Sequence, residues 1–256
     1  MKTFAKTLMA SSLLLAATGA TAEDIGSGWD LSANVTLASE YLWRGISQTQ
    51  GKGAIQGGVD LTHESGFYLG TWASNVDFDS EASSEWDFYT GYSFDVGPED
   101  NPITLDVGLL EYTYTEQNSL NFLEAYTSVG MAGFTLGYNY QIESQSNANI
   151  AGSPSSSETF DYVYLTYDME LPGEIGMNFI VAQYDFKDAV FFDGPFDVNG
   201  KDKYTHYGIT ASKTLLGMDM ALTYSSTDLS DDECKSFSGN SNYCNEVVVL
   251  SASKSF

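Results

Sequence analysis

Seven carboxylates and one guanidinium recur on the polar positions of apolar/polar alternating stretches: Glu40, Arg44, Asp60, Asp87, Asp106, Glu124, Asp168 and Asp219. If those positions face one enclosed space, the chemistry on offer is electrostatic. Aligned Asp and Glu side chains raise the local concentration of cations and repel anions. Glu40 and Arg44 stand four residues apart, and the rival expectation is a structural ion-pair network that plugs the space.

Acid–base or nucleophilic catalysis has little material. The chain holds only two histidines, His63 and His206. His63 falls in a turn, His63-Glu64-Ser65-Gly66, and His206 starts a stretch near Asp185, Asp188 and Asp202, where a solvated polar role is expected. Neither Gly-x-Ser-x-Gly nor His-Glu-x-x-His occurs, so no catalytic residue and no cofactor is assigned. Asp193-Gly194-Pro195-Phe196-Asp197-Val198-Asn199-Gly200-Lys201-Asp202 alternates oxygen ligands but lacks the spacing and closing Glu of a calcium loop. No metal site is assigned either; diffuse divalent bridging to anionic lipopolysaccharide suits such acidic loops better.

The elements that must hold these groups read as β. With 35 acidic against 10 basic residues the formal net charge is −25, yet 17 residues are Tyr and 24 are Gly. Such aromatic content argues against disorder, and the missing Lys/Arg clusters argue against nucleic acid as a partner. Lys2 and Lys6, the apolar Leu8–Ala17 and Ala20-Thr21-Ala22 predict a signal peptide over residues 1–22, leaving one domain, 23–256, outside the cytoplasm. In that compartment Cys234 and Cys244, alone in a polar stretch from Ser225 to Asn245, are expected to form a disulfide.

Period-two alternation begins at Leu31, Ala33, Val35, Leu37, Tyr41 and Trp43 and repeats to residues 246–256, giving about twelve strands of about ten residues. Short turns such as Gly130-Met131-Ala132-Gly133 and Pro172-Gly173-Glu174 alternate with long polar loops. That alternation is the mark of an all-β, transmembrane, antiparallel up-and-down β-barrel in a Gram-negative outer membrane, with short turns in the periplasm and long loops outside. A soluble sandwich has no reason to alternate loop lengths. Tyr41, Trp43, Phe67, Trp86, Phe94, Phe134, Tyr140, Tyr184, Tyr204 and Tyr224 sit near strand ends, where aromatic girdles are expected. Phe256 closes an amphipathic last strand that includes Val248 and Leu250 at the same parity, and so resembles the signal read by the barrel assembly machinery.

The stretch Ser39-Glu40-Tyr41-Leu42-Trp43-Arg44-Gly45-Ile46-Ser47-Gln48-Thr49, then Gln56-Gly57-Gly58, Glu64-Ser65-Gly66-Phe67-Tyr68, Gly70-Thr71-Trp72-Ala73-Ser74-Asn75-Val76 and Glu85-Trp86-Asp87-Phe88-Tyr89-Thr90-Gly91-Tyr92, resembles the TorF family. That is a proteobacterial outer-membrane β-barrel family labelled as porins and long described as conserved hypothetical proteins. The resemblance is specific over residues 31–94 and looser beyond them. It implies a barrel and no catalytic residues. Together with the alternation it sets the functional expectation: a porin-like channel for passive diffusion of small solutes, cation-preferring, in contact with outer-membrane lipid and lipopolysaccharide. The alternatives are a plugged or structural barrel, an adhesin or an outer-membrane enzyme.

Overall fold

The computed structural model describes residues 22–144, 160–187, 189–194, 197 and 200–256. The predicted signal peptide therefore lies almost wholly outside the described residues, as does most of the polar loop expected over 144–158. Twelve strands form the barrel: β1 (Trp29–Ala38), β2 (Ala54–His63), β3 (Phe67–Asn75), β4 (Ser84–Val96), β5 (Ile103–Tyr114), β6 (Phe122–Met131), β7 (Phe134–Ser144), β8 (Asp161–Leu171), β9 (Ile175–Asp185), β10 (Lys203–Leu215), β11 (Met218–Thr227) and β12 (Val247–Ser255). Each pairs antiparallel with its chain neighbours, and β12 pairs back onto β1 from Ser251↔Ala38 to Ser255↔Asn34. The sheet is thereby closed and has no free edge.

Alternation dictates which way each strand faces. On β8, Tyr162, Tyr164 and Thr166 are buried while Val163 and Leu165 are exposed. The same rule leaves Leu37, Ile55, Phe88, Leu109, Leu136, Ile209, Leu222 and Leu250 exposed on the outer face, while Glu85, Glu124, Asn139, Gln141 and Ser225 are buried inside. An apolar exterior around a polar interior inverts a soluble protein and is what a lipid-facing barrel requires.

Tyrosine and glycine share the inner wall. Tyr68 stands opposite Gly91 and Tyr164 opposite Gly137. A Cβ at Gly91 would lie 2.3 Å from the Tyr68 hydroxyl oxygen, and one at Gly137 would lie 2.0 Å from Tyr164 Cζ. The rings thus lie across the neighbouring strand, at places where no side chain larger than hydrogen fits.

The strand predicted to run through Trp43 ends at Ala38. Beyond it the chain turns into the barrel as a small hairpin, Leu42–Trp43 paired with Ile46–Ser47. Among the described residues, the connection 228–246 lies at the same end and meets the hairpin through Tyr243. The polar stretch from Ser225 to Asn245, expected as a loop, includes an α-helix, α1 (Asp231–Ser238). Ser230 caps it by accepting from Glu233 N at 3.2 Å, while Glu233 Oε2 accepts from Ser230 N at 2.8 Å. That reciprocal capping box is written in the sequence as Ser-Asp-Asp-Glu. Cys234 and Cys244 are bonded, with Cα atoms 5.8 Å apart, and pack with Phe186, Val190, Phe191 and Leu229 into an apolar cap.

Candidate functional site: a hairpin across the barrel lumen

Arg44 and Gly45 form the tip of the inward hairpin. Both have positive φ, 50° and 85°, as a two-residue primed turn requires. Gly45 is also needed for space, because a Cβ there would lie 2.8 Å from His206 Cδ2. The tip projects Arg44 across the lumen to β6, where its Nη2 donates to Glu124 Oε1 at 2.8 Å and Oε2 at 2.7 Å. Both side chains are 1% exposed. Asn139 of β7 donates to the same carboxylate at 3.0 Å. The guanidinium also packs over the rings of Trp43, Tyr162 and Tyr184, at 4.4, 4.3 and 4.7 Å, contacts worth about 2 kcal/mol or more when water is excluded.

The rest of the hairpin is tied to other walls. Trp43 meets Tyr112, Phe122 and Tyr184 with ring centroids 6.0, 6.1 and 5.5 Å away. Tyr204 of β10 donates to the Arg44 carbonyl at 2.9 Å. Tyr41 packs against Trp72 of β3 and donates to Glu85 of β4 at 2.8 Å. The Ser47 amide donates to the Tyr243 carbonyl at 2.8 Å, joining the hairpin to the cap. A segment fixed to opposite sides of one barrel spans its interior.

The eight residues singled out in the sequence are placed unequally. Glu40 is buried in the inward loop, and Arg44 pairs with Glu124 rather than with Glu40. The four-residue spacing assumed a continuous strand, and the strand ends at Ala38, before either residue. Asp87, Asp106 and Asp219 are buried on the inner face. Asp60 accepts from Tyr89, Asp106 accepts from Tyr68 at 2.7 Å, and Asp219 accepts from Thr214 at 2.5 Å. Asp168, at the short-turn end of β8, is exposed and accepts from Asn178 at 2.8 Å.

Two other expectations are corrected. Tyr41, Trp43, Tyr184 and Tyr204 belong to the packing inside the barrel; Phe67, Trp86, Phe94, Phe134, Tyr140 and Tyr224 of the proposed girdles do face outward. His206 is buried against Gly45, not solvated, because it shares the inward parity of Tyr204 on β10 while Tyr207 and Ile209 face out. His63 sits at the rim, its ring 4.9 Å from that of Trp29. In the acidic stretch 193–202, Asp197 accepts from the amides of Asp193 and Gly200 at 3.1 and 3.3 Å; Pro195, Phe196, Val198 and Asn199 lie outside the described residues. The reading of the sequence missed Glu85, Tyr112, Tyr162 and Tyr184 as interior groups, although their parity marks each one.

Above the hairpin, at the long-loop end, is a cavity of about 400 Å³. At its rim Lys52 donates to Asp77 at 2.5 Å. That hydrogen bond holds the Asp77 carboxyl below its ordinary value and the Lys52 amine above its own.

The fold is shared with solved porins. This chain is similar to the KdgM porin at 8% identity, over 88% of this chain and 99% of that one, with a TM-score of 0.51. It is similar to the KdgM porin in complex with disordered oligogalacturonate at 7% identity, over 88% and 98%, with a TM-score of 0.50. NanC porin aligns at 12% identity over 88% and 97%, with a TM-score of 0.48. No curated protein matches this chain. The model of a family described as a bacterial protein of unknown function, Gcw_chp, matches residues 22–256. Its name differs from the TorF resemblance, which stays a resemblance. With a match over the whole barrel, the chain belongs to the Gcw_chp family.

Proposed function

We propose that this protein is an outer-membrane channel of the porin type, passing small solutes by diffusion and favouring cations, with the hairpin setting its conductance. The observation that carries the reading is the closed barrel with an apolar exterior and a polar, carboxylate-bearing interior. Solutes entering from the long-loop end meet the hairpin first and then the polar lower lumen. There Asp60, Asp106 and Asp219 add negative charge, while the one guanidinium on the path, Arg44, is neutralised by Glu124. A negative lumen with low-dielectric walls concentrates cations. The working residues are side chains alone, so no cofactor enters the mechanism.

Phe256 supports outer-membrane assembly of the barrel: its ring is exposed on the outer face, and its amide donates to the Ala33 carbonyl at 2.8 Å. The second reading, a plugged barrel, is favoured by the hairpin itself. Planar-bilayer recording separates the two when the intact protein is compared with a variant whose residues 40–52 are replaced by a short Gly-Ser linker. The channel reading expects cation-selective steps from both, several-fold larger in the variant. Silence in the intact protein with steps in the variant establishes a plug, and silence in both defeats the proposal.

A further inference from the structure

The cavity above the hairpin is built from loops at the long-loop end and floored by Trp43. Its walls combine two kinds of group. Phe78, Phe122 and Tyr243 supply ring faces, and Gln50 and Gln117 bring amides to the same space. Gln117 Oε1 accepts from the Ala82 amide at 3.3 Å, which leaves its NH₂ for another partner. Among the described residues, no Lys, Arg or His lines the cavity, and Asp77 is its one charged wall residue. Lys52 neutralises Asp77.

This balance selects a ligand class by elimination. An anion finds no cation in the wall and faces a chain with net charge −25. An organic cation finds rings, but the one carboxylate is already taken. What the wall satisfies is a neutral molecule with an apolar face to lay on a ring and hydroxyls to meet amides. A volume of about 400 Å³ falls within the range of about 300 to 1,000 Å³ usual for small-ligand sites.

We infer that this vestibule binds neutral saccharides, stacking one sugar on Trp43 or Phe78 and hydrogen-bonding its hydroxyls to Gln50 and Gln117. The inference deepens the channel reading, since it names the solute presented to the hairpin. Binding is nevertheless measurable without conductance.

The test uses the full chain folded in detergent, titrated by calorimetry and by tryptophan fluorescence with three probes: a neutral glucose hexasaccharide, a galacturonate trisaccharide and tetraethylammonium. Saturable binding of the neutral hexasaccharide is expected, at least ten-fold tighter than either charged probe. Phe78→Ala and Gln117→Ala, each checked for unchanged circular dichroism and heat-modifiable mobility, should weaken it by ten-fold or more. Preference for either charged probe overturns the inference. So does the absence of saturation with the hexasaccharide, or an unchanged affinity in both folded variants. Binding by a protein that conducts nothing leaves the site standing and defeats the channel; conduction without binding does the reverse.

Discussion

The two halves of the lumen are built on opposite plans. Toward the long loops, Tyr41, Trp43, Tyr112, Tyr184 and Tyr204 pack around a buried ion pair, so the interior there resembles a domain core. Toward the short turns many inward positions carry short polar side chains, Ser32, Asn34, Thr36, Ser128, Thr135, Thr210 and Ser212, and the larger rings there are tied by their hydroxyls, Tyr68 to Asp106 and Tyr126, and Tyr89 to Asp60. One strand set therefore carries an aromatic core at one end and a polar network at the other. The difference teaches that the core needs both partners: the fifteen residues between β1 and β2 bring Tyr41, Trp43 and Arg44 inward to meet Tyr112, Glu124, Tyr184 and Tyr204 of the wall.

The contrast can be broken at several points. The largest effect is expected from Glu124→Leu, which strands Arg44 without its counter-charge. Removing one partner of a buried pair costs about 3 to 5 kcal/mol, read as a lower urea midpoint. Arg44→Met added to Glu124→Leu should recover most of that loss. If Glu124→Leu unfolds like the parent, the upper half is not a core.

Cys234→Ser tests the cap, which packs on the aromatic end of the lumen through Phe186 and Phe191. Opening a ring closed over a separation of ten residues should cost about 2 to 3 kcal/mol, confined to residues 228–246 in hydrogen exchange. An equal loss of protection in the lower strands would show that the cap and the barrel unfold together.

The lower half is sharpened by Gly137→Ala, whose methyl has no room beside Tyr164. Overpacking of this kind costs about 1 to 3 kcal/mol. Because the site lies below the hairpin's ring contacts, the current through a channel lacking residues 40–52 should change little. A large fall in that current would mean that the wall also sets the width.

The smallest effect belongs to Lys52–Asp77, whose side chains are 65% and 34% exposed. Asp77 has a lowered pKa in the fold, so the pair's contribution is complete above the ordinary carboxylate value. It fades as pH falls through the lowered one. The protection of the amides of residues 50–53, taken relative to the free-peptide rate at each pH, should fall in that acidic window and be constant between pH 6 and 8. Asp77→Asn should remove the pH dependence.

The wall was legible in the sequence and the filling was not. Period-two alternation follows from strand geometry, so Val163 and Leu165 declare the outside and Tyr162 and Tyr164 the inside without any tertiary information. The hairpin continues the same alternation through Tyr41 and Trp43. Nothing local distinguishes a strand that faces lipid from one that has turned inward. Arg44-Gly45 was the available sign, because Gly at a two-residue turn marks a hairpin. Its partner Glu124 stands 80 residues away, a distance that no spacing rule reaches. The helix α1 was missed for another reason: its capping box was present, but eight residues among Asp, Ser and Asn read as loop.

The seam between β12 and β1 carries its own consequence. Its backbone bonds run only from Ala33–Phe256 to Ser39–Leu250, whereas β8 and β9 pair from Asp161 to Leu171. The hairpin hangs from β1, the strand that meets the last one. Its anchors stand on β4, β6 and β10, so it ties the short seam strand to three distant staves of the cylinder. The inward segment is therefore also a clasp: it reinforces the closure where the wall's own bonds are fewest.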